Sequence, residues 1–156
     1  KEEFTMKLAE ALQERADLNR AIEQLHSRLD NNTLVQEGET PAESPSDLKR
    51  ELDSSLERLA YLIARINITN CRTMCDGQSL TELIAKKDAL TVKISAYRDI
   101  VSTASQLAYR ARSTEINIKP TISVVDWQNE VDRMSKELRL LDNRLQACNW
   151  TTELIE

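Results

Sequence analysis

Apolar residues recur along most of this chain at steps of three and four, the period of one helical face. Leu8, Leu12, Leu18, Ile22, Leu25 and Leu29 set the first stripe, with Arg15 inside it. They predict a helix over 6–29, capped by Thr5 and stopped by Asp30-Asn31-Asn32. Leu48, Leu52, Leu56, Leu59, Leu62 or Ile63, and Ile66 predict a second helix over 46–69. Ser46 would cap it, and Asp47 suits the positive end of the helix dipole. Leu80, Leu83, Lys87, Leu90, Ile94, Tyr97, Val101, Ala104 and Ala108 hold a heptad-like spacing that predicts a third helix over 80–112, opened by Ser79 or Thr81. Val124, Trp127, Val131, Met134, Leu138, Leu141, Leu145 and Cys148 predict a fourth over 124–147, opened by Ser123 or Asp126.

Between these stripes the pattern changes. Residues 30–45 form a long connector with one of the two glycines and two of the three prolines, and its apolar pair Leu34-Val35 is expected to pin it to the body. The run Arg65-Ile-Asn-Ile-Thr-Asn70 reads as a weakening helix end, followed by the Cys75-Asp-Gly77 turn. Glu115 to Ile122 alternates polar and apolar around Pro120 and predicts a short extended segment that pairs with Leu34-Val35. The fold class expected is all-α: one domain over 6–154, an elongated four-helix bundle of coiled-coil-like helices, with that extended segment near 115–122.

Composition narrows the function. Only two glycines and three prolines among 156 residues leave too few turns for a sandwich, a barrel or an α/β enzyme. No phosphate-cradling loop or nucleophile elbow can be built from Gly38 and Gly77. The formal charge of −5 and the scattered Lys and Arg speak against nucleic-acid binding. No apolar run reaches the roughly 18 residues of a membrane helix, and the first residues lack a leader pattern, so a cytoplasmic protein without a membrane partner is expected.

Candidate chemistry is sparse. Glu23 and His26 have the Glu-x-x-His spacing of di-iron bundles, but that centre needs two histidines and the chain has one. Any hydroxyl nucleophile would depend on the same imidazole. Cys71, Cys75 and Cys148 lack the spacing of a zinc site and read as ordinary reduced thiols, so neither metal nor cofactor is expected. Polar residues inside the stripes are the remaining candidates. Arg15, Lys87 and Tyr97 occupy seam positions, and Arg65, Asn67 and Asn70 could line a polar pocket. No catalytic set emerges.

Several stretches together resemble a small bacterial helical family of unknown function often labelled septicolysin. They are Met6-Lys-Leu-Ala-Glu-Ala-Leu, Leu34-Val-Gln-Glu-Gly-Glu-Thr-Pro-Ala-Glu, Arg65-Ile-Asn-Ile-Thr-Asn70, Asp76-Gly-Gln-Ser-Leu-Thr81 and Asn149-Trp-Thr-Thr-Glu-Leu154. The resemblance spans Met6 to Leu154 and makes residues 1–5 an upstream extension or expression remnant. It implies a helical bacterial protein and brings no catalytic residues, while its label hints at a cytolysin.

The leading expectation is a non-enzymatic helical protein that associates with itself, and with another protein in some settings. A third helix of 80–112 would be roughly 50 Å long against roughly 36 Å for the others. Its overhang would expose Ile100, Val101, Leu107 and Tyr109, which a two-fold partner would cover in a homo-oligomer, a dimer first of all. The competing expectation is a small-ligand binder or enzyme that uses the polar seam and a lid over residues 37–44.

Overall fold

A computed structural model describes residues 5–106 and 118–156. The all-α expectation holds. The described chain is carried by α1 (Leu8–Asn32), α2 (Pro45–Arg72), α3 (Leu80–Ser105) and α4 (Val124–Thr151). A two-residue hairpin, β1 (Met74–Cys75) and β2 (Gln78–Ser79), lies between α2 and α3. The residues fall into two compact units, Lys1–Cys75 with Cys148–Glu156 and Asp76–Ala147.

Unit one is the α1–α2 pair with the C-terminal tail. The helices run antiparallel: Arg58 Nε and Nη2 donate to the two Glu14 oxygens at 2.6 and 2.9 Å, while Arg28 at the far end of α1 meets Glu43 just before α2. Leu8, Ala11 and Leu25 of α1 and Leu48, Leu62 and Ile66 of α2 are buried. The choice between Leu62 and Ile63 resolves to Leu62, since Ile63 stays exposed.

α2 begins one residue earlier than its sequence pattern suggested. Ser44, not Ser46, is the cap, and its hydroxyl accepts from the Asp47 N–H. Pro45 then sits at the first helical position, where its missing N–H costs nothing.

α1 starts at Leu8 rather than residue 6, because the residues before it are paired with the tail. The Leu8 N–H donates to the Thr152 carbonyl at 2.9 Å, and the Leu154 N–H donates to the Met6 carbonyl at 2.8 Å. Lys7 and Glu153 form an antiparallel bridge, and Leu154 is buried. The Arg65–Asn70 run does not fray. Its Thr69, 0% exposed, donates to the Arg65 carbonyl and accepts the Ile155 N–H. With the tail laid over it, α2 continues to Arg72.

The connector is held differently from expectation. Leu34 is 87% exposed and Val35 half exposed, so they pin nothing, and neither belongs to a strand. The anchor is polar. Asn32 is buried, its amide donates to the Arg28 carbonyl at 2.8 Å, and its oxygen accepts the Glu43 N–H at 2.9 Å. Between them the chain reverses over Gln36–Glu39, whose closing bond is 3.0 Å, with Gly38 at φ +89° where a type II turn needs it. Residues 118–122 are not a strand; the rest of the predicted extended segment lies outside the described residues.

Unit two pairs α3 with α4, again antiparallel: Lys87 bonds Asp142 while Arg98 reaches Ser135. Ile94, Val131 and Met134 make its buried cluster, flanked by Leu90, Tyr97 and Leu138. Ser79 opens α3 with a capping box to Glu82, and the Ser123 hydroxyl accepts the Asp126 N–H at the start of α4. α3 closes at Ser105, where the pattern carried it to residue 112. It is therefore no longer than α2 or α4, and the premise of an overhanging third helix is corrected.

Candidate functional site

The side of the α3–α4 pair holds an open groove of about 610 Å³. Ile94 and Leu138 form its apolar floor, and Lys87, Arg98 and Arg139 bring three cations to its edges. Two of the cations are engaged: Lys87 pairs with Asp142, and Arg98 donates to the Ser135 hydroxyl at 3.3 Å. That hydroxyl in turn bonds the Val131 carbonyl at 2.7 Å. The groove thus offers charge and a hydrophobic seat, with no nucleophile held against a base.

Lys87 is a cross-helix ion-pair residue. Tyr97 is a packing residue, its ring 4.6 Å from the Trp127 ring, with the Lys93 ammonium 5.4 Å from its centroid. Arg15 is half-buried on α1. Arg65 lays its guanidinium over the Tyr61 ring at 5.3 Å, matched by Arg58 at 5.4 Å, and its buried Nε has no hydrogen-bond partner among the described residues. Asn67 is exposed and Asn70 half-buried. Arg15, Arg65, Asn67 and Asn70 belong to unit one, Lys87 and Tyr97 to unit two.

Carboxylates are tuned where they pair or cap helices. Arg58 donates to Glu14 and holds that carboxyl below its ordinary value, against a smaller opposing effect of burial. Arg28 does the same for Glu43, and the Ser79 N–H and hydroxyl do so for Glu82. Glu23 and His26 are both exposed on α1. Among the described residues no three His, Cys, Asp or Glu side chains gather as a metal-binding group.

The interface candidates separate. Ile100 is exposed, whereas Val101 is half-buried on the arc of α3 that faces α4. Leu107 and Tyr109 lie outside the described residues. A face that the sequence pattern passed over adjoins Ile100. Ala85, Ala89, Val92 and Ala96 are all exposed at steps of four, three and four, with Val92 at 70%. At about 100° per residue they and Ile100 span an arc of about 80°, opposite Leu90, Ile94 and Val101. The signal was present in the sequence but masked by the stronger Leu and Ile stripe on the same helix.

The cysteines also depart from expectation. Cys75 and Cys148 are joined in a disulfide, with Cα atoms 6.8 Å apart, and Cys71 is exposed. Spacing alone could not reveal the pairing, because the two cysteines are 73 positions apart in sequence. Cys75 closes the hairpin's first strand, ahead of a turn in which Asp76 and Gly77 both have positive φ. That is the Asp-Gly signature of a two-residue hairpin.

Comparison with known proteins gives a family and no activity. No curated protein matches the chain. A crystal structure of a functionally unknown conserved protein from Corynebacterium diphtheriae is 35% identical, with a TM-score of 0.92 over 97% of this chain and 99% of that one. Residues 15–154 match the family described as Family of unknown function (DUF6847). With most of its length matched and a related structure superposing almost end to end, the chain belongs to this family of unknown function.

Proposed function

We propose that this is a non-enzymatic helical protein that works by self-association, as a dimer in the first instance. One observation carries the reading: α3 is apolar on two opposite arcs, of which α4 covers one and the other is exposed. A contiguous apolar stripe left exposed on a helix supports an interaction surface. Sedimentation at micromolar concentration is expected to give a species of twice 17.8 kDa. A 17.8 kDa species at every concentration overturns the reading.

The groove beside Ile94 and Leu138 supports a second reading, a binder of small ligands, because its volume falls in the range of ligand sites. A melting screen with nucleotides, sugar phosphates and metals tests it, a ligand-dependent rise favouring binding. Residues 37–44, the lid expected for such a binder, are anchored at Glu43 by Arg28 and Asn32. Lysis, the activity hinted at by the septicolysin label, is tested by dye release from liposomes; among the described residues no helix is long and apolar enough to cross a membrane. The Cys75–Cys148 disulfide supports an oxidising compartment in place of the cytoplasmic setting expected from sequence.

A further inference from the structure

We infer that the outward face of α3 docks against the same face of a second copy, with the two α3 helices parallel and in register. This rests on the self-association reading and specifies its surface. The occupant is chosen by charge. In heptad terms Ala89 and Ala96 take a positions and Ala85 and Val92 take d positions. Asp88 then falls at g, and Lys86 and Lys93 fall at e. In a parallel pair g of one helix meets e of the next heptad on the other, so Asp88 faces Lys93 of the second copy, twice by symmetry. In an antiparallel pair each edge meets its own kind, and Lys86 and Lys93 would confront the same lysines. The face is thus complementary to itself in one direction only.

Both charges are available. Neither Asp88 nor Lys93 forms an ion pair with a described residue, and Lys93 is occupied only by its exposed contact over Tyr97. The seam also has an end. Asp99 takes the next d position, where two copies would set like charges against each other, so the close contact runs from Ala85 to Ala96 and leaves Ile100 at its margin. A short alanine-rich seam with Val92 at its centre makes a dimer of modest affinity, in equilibrium with monomer.

Sedimentation equilibrium of the full chain and four sets of variants tests this, with circular dichroism to check that each stays helical. Val92→Glu lies on an exposed position and is expected to leave the fold intact and abolish the dimer. Asp88→Lys and Lys93→Glu alone are each expected to weaken it about tenfold, and the double exchange to restore it. Asp99→Leu is expected to tighten it. A wild-type dimer indifferent to Val92→Glu overturns this face while leaving self-association standing. A double exchange no better than its singles overturns the parallel register. A wild-type monomer overturns both this inference and the reading beneath it.

Discussion

The Ile155 backbone N–H donates to the Thr69 hydroxyl at 3.0 Å, across 86 residues of sequence. The same hydroxyl donates to the Arg65 carbonyl at 2.8 Å, so one fully buried side chain both stays within its helix and receives the tail. Thr69→Val keeps the shape and removes the acceptor, leaving the part-buried Ile155 N–H without its partner. We expect a loss of about 1–3 kcal/mol in urea unfolding, with Thr69→Ser keeping most of the wild-type stability. A loss for Thr69→Ser with none for Thr69→Val would show that the methyl, not the hydrogen bond, matters.

Reduction should loosen the same unit. Cross-linking residues 73 apart removes chain entropy worth about 4 kcal/mol in the loop-closure treatment. Cys75→Ser with Cys148→Ser, or excess dithiothreitol on the wild type, is expected to lower the melting temperature. Alkylation in denaturant should modify one cysteine before reduction and three after it. Three before reduction would remove the disulfide from the account.

Acid should act through Glu14. Its carboxyl is held below the ordinary value of 4.5 by the Arg58 hydrogen bonds, so its contribution is complete above pH 4.5 and is lost as pH falls through the depressed value. Melting temperature against pH for the wild type should therefore drop below pH 4.5 more steeply than for Glu14→Gln. Parallel curves would place the acid sensitivity elsewhere.

In unit two the most demanding position is Met134, 1% exposed in the cluster with Ile94 and Val131. Met134→Ala is expected to cost about 2–5 kcal/mol. Met134→Leu should cost under about 1.5 kcal/mol. Denaturant midpoints for the two variants check this, and similar losses would show that the site needs thioether shape rather than volume.

Helix class and most of the core faces were legible from the chain because leucine spacing reports a local period, although Leu56 of the α2 stripe is exposed. What escaped was non-local or polar. Thr69 and Asn32 look like helix-end residues in sequence, and only partners 86 and 11 residues away reveal why each is buried. Leu34 and Val35 misled for the converse reason: apolar character promised burial, and the Asn32–Glu43 bond had already fixed the connector without them. On α3 the alanine face was hidden by its neighbours, since alanine contributes little to an apolar pattern dominated by leucine and isoleucine.

The pairing of Met6 and Leu8 with Leu154 and Thr152 has a consequence for the order in which the protein is made. Unit two is contiguous: α3 and all but the last turn of α4 have been translated by Ala147. Unit one begins first and finishes last. Its α1–α2 hairpin emerges early from the ribosome, then waits through 72 intervening codons with the Thr69 hydroxyl unclaimed and one cysteine lacking its mate. A message cut short after Ala147 would still encode the span of the second unit, short of the last turn of α4, but would leave the first one open at the seam where the tail belongs.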